Sequence, residues 1–294
     1  MTLRTMLFTP ANHARQVEKA LSGPADAVIL DLEDAIAIDE KPTARELLAG
    51  ILSGLPARAP RVFVRVNALT TPFAYADLVA AVREGLSGIM LPKGESREQV
   101  ATAAWLIAQL EAGRGLTAGS IELLPIIETA VGLTRLHDIA TASPRVARLT
   151  FGAGDFTLDN NMDWTPGNEG VLWARIQTVV ASRAAGLAAP IDTVYPALPD
   201  HAGFESESRQ ARRLGFEGKL CIHPDQVSIA NLVFTPTAAE VSEAHRVVEA
   251  FENAVAVGSA SIQLDGRFID YPVAERARRL IATQERSFVE EAAR

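Results

Sequence analysis

The stretch ADAVILDLEDAI (25–36) runs apolar and then places Asp31, Glu33 and Asp34 within four residues. A continuous apolar run of this length reads as a strand buried on both faces, the habit of parallel sheets covered by helices. Acids at its end put polar chemistry where such a strand stops. Alternation places Asp31 and Glu33 on one face and Asp34 on the other or in the following turn.

Seven further runs of the same kind follow the same logic: MLFTP (6–10), RVFVRVN (61–67), GIMLPK (88–93), ELLPIIE (122–128), RLTFGAGD (148–155), IDTVYP (191–196) and KLCIHP (219–224). Between them lie stretches with helical period or capping signals, over 12–21, 41–53, 73–84, 95–112, 130–142, 169–185 and 204–214. Eight βα units over this length predict a (β/α)8 TIM barrel. No GxGxxG follows the first run, which argues against a dinucleotide-binding sheet. Beyond the eighth run come an amphipathic stretch (237–256), SIQLDGRFIDYP and AERARRLIATQERSFVEEA. The expected division is a catalytic barrel over 1–232 and a C-terminal helical extension over 233–294, too small for a large core and packing on the barrel or on a neighbouring subunit.

Composition sets the bounds. Of 294 residues, 48% are hydrophobic and 22% charged, as in ordinary soluble proteins, and no run approaches the roughly 20 apolar residues of a membrane span. The 28 basic and 36 acidic residues give −8, and no basic block points to nucleic acid. The start MTLRTMLFTPANH lacks the apolar core of a secretory signal, and Cys221 is alone, so a cytoplasmic protein with a small buried thiol is expected.

Barrel active sites gather at the C-terminal ends of the strands. The runs end in Asp31, Glu33 and Asp34, in Arg65 and Asn67, in Lys93, in Glu128, in Asp155 and in His223. Glu128 and Asp155 close neighbouring runs, one βα unit apart. Two hard oxygen donors without a His/Cys cluster suit Mg2+ rather than zinc, although each acid also suits the start of a helix. Arg65, on the face of Phe63 and Asn67, needs a carboxylate partner or a ligand oxygen if buried. Lys93 and His223 have structural readings of equal weight.

LFTPAN, AVILDLEDAI, VFVRVN, LPK, LPIIET, FGAGD, GKLCIHPDQV and GRFIDYP occur in this order along the chain. Together they resemble the citrate lyase beta subunit and malyl-CoA lyase family. The resemblance implies a TIM barrel that cleaves or forms a carbon–carbon bond in a 3-hydroxyacyl-CoA thioester, such as malyl-, citramalyl- or citryl-CoA, giving an acyl-CoA and a 2-oxo acid. It implies Mg2+ on Glu128 and Asp155, with Arg65 binding substrate and stabilising an enolate oxygen. It also implies Asp270 reaching over the site of an adjacent subunit in a trimer or hexamer, and Phe8 and Lys19 near a CoA-binding edge. With the direct ligands so assigned, Glu33 and Asp34 become outer support for metal-bound water, Arg65 or Lys93. Two departures stand out: Ala11 and His13 in TPANHARQ, where many relatives carry glycine and a basic residue, and the segment DFTLDNNMDWTPGNEG with Trp164. These leave room for a CoA-independent pyruvate-type aldolase. A subunit working inside a citrate lyase complex on an acyl carrier protein thioester is the other alternative.

Overall fold

The computed structural model describes residues 2–56, 59–165 and 169–293, with side chains as far as residue 285. The chain runs β1 (Thr5–Pro10), α1 (Ala14–Leu21), β2 (Ala27–Asp31), α2 (Lys41–Ser53), β3 (Arg61–Arg65), α3 (Ala74–Ala81), β4 (Gly88–Leu91), α4 (Arg97–Gly113), β5 (Glu122–Ile127), α5 (Ala130–Thr134), α6 (Leu136–Ala140), β6 (Thr150–Phe151), α7 (Ala153–Asp159), α8 (Leu172–Ala184), β7 (Ile191–Asp192), α9 (His201–Leu214), β8 (Gly218–Cys221) and α10 (Pro224–Phe234). The eight strands pair in chain order, all parallel, and β8 closes on β1 with Thr5 opposite Lys219. The expected (β/α)8 barrel is the observed fold.

Alternation along the strands divides the apolar side chains between two layers. Met6, Ala27, Ile29, Phe63, Met90, Leu124, Ile126, Ile191 and Leu220 fill the barrel interior. Val28, Leu30, Val62, Val64, Ile89, Leu91, Leu123 and Ile127 face outward under the helices. Helix starts are set locally: Ser96 accepts from the Gln99 N–H, Thr129 from Gly132, and Asp200 from Gly203, as N-caps do. Gly215 ends α9 in the left-handed region at φ 106°, the usual use of glycine there.

Four elements depart from expectation. The sixth strand covers only Thr150–Phe151, and the chain turns at Gly152 into α7, so Asp155 sits in the first turn of a helix and not on a strand. The expected helix over 130–142 is two short helices broken at Arg135. Helix α10, unforeseen, opens on Pro224, a position where the missing N–H costs nothing. It continues past the expected boundary at 232, and the compact units divide between Phe234 and Thr235.

The second unit comprises α11 (Ala238–Ala256), the antiparallel pair β9 (Ser261–Leu264) and β10 (Arg267–Asp270), and α12 (Tyr271–Ala293). Asp265 and Gly266 both have positive φ, at 49° and 78°, the two-residue turn that matches strand twist. Thr237 and Glu240 form a capping box at the start of α11. Ala244, Val247, Phe251, Ile269, Ala274 and Ala277 give this unit an apolar cluster of its own.

Charge is buried on the outer side of β7 and β8. Arg175 donates to Asp192 through Nε and Nη2 at 2.9 and 2.8 Å. The Lys219 ammonium donates to Asp192 Oδ2 at 2.8 Å and to Glu207 Oε1 at 2.6 Å. All four residues are buried. Replacing Lys219 by Met would leave the Glu207 carboxylate in the interior without the Lys219 cation and Asp192 held by Arg175 alone. We expect unfolding free energy to fall by roughly 3–5 kcal/mol, read as a lowered urea midpoint; an unchanged midpoint would show that the network contributes nothing.

Candidate active site

The β2–β3 register sets Asp31 directly opposite Arg65. Both side chains follow the inward parity of Ile29 and Phe63, so they meet at the C-terminal end of the barrel. Arg65 Nε donates to Asp31 Oδ1 at 2.8 Å and Nη2 to Oδ2 at 2.5 Å, the bidentate geometry that suits a carboxylate. The same guanidinium lies 3.0 Å from Glu33 Oε2 and 3.6 Å from Asp34 Oδ2 through Nη1. It sits over the Phe8 ring at 4.8 Å. Burial works against its charge, but Asp31, then Glu33 and Asp34, hold its pKa above the ordinary value. Two of its five N–H groups go to Asp31, so one Nη2 hydrogen is left for another oxygen, and Nη1 faces Glu33 and Asp34 by charge without a hydrogen bond to Glu33 Oε2.

Glu128 follows β5 and is 3% exposed. Its Oε1 accepts the Lys93 N–H at 2.8 Å. Gly152 makes room for the carboxylate, since a Cβ there would lie 2.7 Å from Glu128 Oε2 and 2.9 Å from Glu128 Cβ. Lys93 has φ 49°, a conformation uncommon outside glycine. Its ammonium lies 3.3 Å from Glu33 Oε1 and 3.8 Å from Asp155 Oδ1. Burial opposes that charge too, yet Glu33, Glu128 and Asp155 push the Lys93 pKa up. Sequence reasoning left Lys93 undecided; the strand ends place it among the acids.

The acids are in excess. Burial raises the Glu33 carboxyl to about 7 despite Arg65 and Lys93. Burial, then the charges of Glu33 and Asp155, raise Glu128 to about 8. Glu33 Oε2 is buried without a hydrogen-bond donor, its contact with Arg65 being one of charge alone. Among the described residues no group of three His, Cys, Asp or Glu side chains is arranged around a metal position. Glu128 and Asp155, both against Lys93, could serve as a two-carboxylate donor set for a small hard cation that keeps water or ligand oxygens in its other positions. Such a cation would neutralise the charge that raises Glu128.

The remaining expected residues are distributed differently. Asp34 stands at the exposed edge of the cluster. Lys19 is exposed in the last turn of α1. His223 is half-exposed; its Nδ1 accepts the Asp225 N–H at 3.2 Å, a structural contact at the start of α10. Asp270 belongs to the second unit, where its Oδ1 accepts the Val273 N–H at 3.2 Å and so caps α12. Cys221 is buried, its thiol pushed up to about 12 by burial, as expected of a core residue. The Trp164 ring packs on Gly154, where a Cβ would meet it at 3.2 Å; residues 166–168 of that segment lie outside the described residues. Asp31, whose grip orients Arg65, is the member that sequence reasoning left without a role. The signal was its parity with Arg65 on adjoining strands.

The HpcH/HpaI aldolase/citrate lyase family profile matches residues 4–224. The citrate lyase subunit beta of Escherichia coli K12 is 38% identical over 99% of this chain and 96% of its own length. The L-malyl-CoA/beta-methylmalyl-CoA lyase of Rhodobacter capsulatus is 34% identical over 91% of this chain and 90% of its own. In structure, the CitE protein of Mycobacterium tuberculosis, solved with magnesium, acetoacetate and coenzyme A, superposes with a TM-score of 0.80 at 28% identity, covering 97% of this chain and 98% of that one. The chain belongs to the HpcH/HpaI aldolase/citrate lyase family of carbon–carbon lyases.

The raised carboxyls carry a sign that can be measured on metal-free protein. With folded values near 7 and 8 against an ordinary 4.5, the folded chain holds protons that the unfolded chain has released. Their stabilising contribution, full below about pH 4.5, is lost as pH rises through 7 and 8. Urea midpoints should fall between about pH 5 and 8 and level off above, with a slope of at most about 1.4 kcal/mol per pH unit for each proton. Glu128→Gln should flatten that fall; an identical slope in wild type and variant would refute the assignment.

Proposed function

We propose that this chain is a Mg2+-dependent carbon–carbon lyase, or synthase in the reverse direction, acting on a 3-hydroxyacyl-CoA thioester of the malyl-, citramalyl- or citryl-CoA class. The products are an acyl-CoA and a 2-oxo acid. The observation that carries the reading is a half-saturated Arg65 held by Asp31 at the same mouth as the Glu128 and Asp155 carboxylates. The magnesium complexes of the Mycobacterium tuberculosis protein, with acetoacetate and coenzyme A or with oxaloacetate, support the choice of cation and ligand class.

Glu128 and Asp155 would hold a magnesium ion, which would supply Lewis-acid polarisation at the oxygen that is the 3-hydroxyl of the substrate and the carbonyl of the oxo acid. Cleavage requires a carboxylate within reach to take the proton of the 3-hydroxyl group, which the same group can later return to carbon. The carbon–carbon electron pair then passes to the thioester as an enolate, and the oxo acid departs. The outer edge of Arg65, where one Nη2 hydrogen and the Nη1 group beside Glu33 are not hydrogen-bonded to Asp31, would meet the thioester oxygen as its negative charge develops, a preorganised contact because Asp31 and Phe8 already fix the guanidinium. Protonating the enolate carbon requires an acid within reach, a role for Asp270 from the tail of a neighbouring subunit in a trimer or hexamer. Lys93 offsets part of the negative charge that Glu33, Glu128 and Asp155 bring to the mouth.

The 38% identity to a protein named as a subunit favours one second reading, in which the chain works inside a larger lyase on a thioester carried by an acyl carrier protein. One screen separates them: the purified chain with malyl-, citramalyl- and citryl-CoA, with and without Mg2+, and free hydroxy acids as controls. Mg2+-dependent cleavage of a free CoA thioester is expected, and Glu128→Ala should abolish it. Cleavage only of free hydroxy acids, or full activity in the alanine variant, would overturn the proposal. Arg65→Lys should lower kcat by about 10²–10³, the scale seen when one oxyanion donor is lost.

A further inference from the structure

Lys41 is the first residue of α2 and is only 5% exposed. Two preferences oppose a lysine there, since burial disfavours the charge and a helix N-terminus repels a cation. Burial does lower its pKa, against the pull of Asp77 and the acids of 31–34. The ammonium is directed at the backbone: Nζ donates to Leu32 O at 2.8 Å and to Glu33 O at 2.9 Å. On its other side lies the Phe73 ring, at 5.5 Å.

Those two carbonyls belong to the peptides that leave β2 between Asp31 and the Glu33 side chain. Leu32 O also accepts Asn67 Nδ2 at 2.8 Å, and Asn67 is held by Asp77 through its N–H at 2.9 Å and its Nδ2 at 2.6 Å. The Glu33 N–H goes to Asp31 Oδ1 at 2.9 Å. Glu33 therefore has its N–H tied to Asp31 and its carbonyl shared between Lys41 and the Ile36 N–H, the latter at 3.1 Å. With both backbone groups fixed, its carboxylate is aimed at Arg65 and Lys93, where it adds negative charge beside Glu128.

We infer that Lys41 is a positioning residue: it acts through the Leu32 and Glu33 carbonyls to aim Glu33 at Arg65 and Lys93, and so sets the field around the Glu128–Asp155 pair. The link to divalent-cation binding rests on the function proposed above; the link from Lys41 to Glu33 does not. Two measurements on the full chain separate them. By calorimetry with Mg2+ alone, Lys41→Met should weaken binding by about tenfold, the lower end for lost outer-shell support. On a Glu33→Gln background the same substitution should add less than twofold, because its effect passes through Glu33. Additive losses, or unchanged affinity in Lys41→Met beside weakened affinity in Glu33→Gln, would overturn the inference.

The second measurement is amide hydrogen exchange. Lys41→Met should speed exchange in peptides covering 32–36 and leave the β5 and β8 peptides at wild-type rates. Unchanged exchange at 32–36, or a uniform rise over the barrel, would overturn the inference even if wild-type protein binds no Mg2+, a result that would sink the proposed function by itself. Lys41→Gln, which keeps an N–H donor on a shorter stem, carries the same comparisons if the methionine variant fails to fold.

Discussion

The organising contact of the barrel mouth is the two-point grip of Asp31 on Arg65. It exists because β2 and β3 are adjacent parallel strands in a register that pairs these two residues, and both side chains have inward parity. A guanidinium held on one edge keeps its charge, its plane and its remaining donors in a fixed direction, with the Phe8 ring against its face. Glu33, Asp34 and Lys93 then take positions relative to that fixed cation. A shift of one residue in the register would turn Arg65 toward the helices and dissolve the arrangement.

Around that grip the site carries more negative charge than its own cations neutralise. Four acids, Asp31, Glu33, Glu128 and Asp155, meet Arg65 and Lys93, and the buried carboxyls of Glu33 and Glu128 respond by holding protons. The backbone is adapted to the same end. Gly152 leaves space for Glu128, and Lys93 adopts positive φ while its N–H reaches that carboxylate. Strain and uncompensated charge of this kind are retained where they serve a site. Rigidity comes from elsewhere, in the saturated Arg175–Asp192–Lys219–Glu207 network outside β7 and β8.

Much of this was legible in the linear chain. Apolar runs ended by polar residues located Glu33, Arg65, Glu128 and the eight strands, because strand parity and burial are local properties of a pattern. Asp155 was found for a reason that needed amendment: it closes an apolar run, but glycines at 152 and 154 end the strand early and it enters a helix. Lys41 gave no signal, since a lysine at a helix start reads as solvated unless the loop folding over it is known.

Sequence alone determined the barrel, the Cys221 core position and the set of polar residues at strand ends, since periodicity of two and of 3.6 is written in neighbouring residues. Only the tertiary structure decided which of these groups touch. The Asp31–Arg65 pairing follows from strand register, the raised carboxyl of Glu128 from enclosure by Glu33 and Asp155, and the Lys41 contacts from a helix start folding beneath the loop after β2. Each of these depends on distances between residues far apart in the chain, which no local pattern contains.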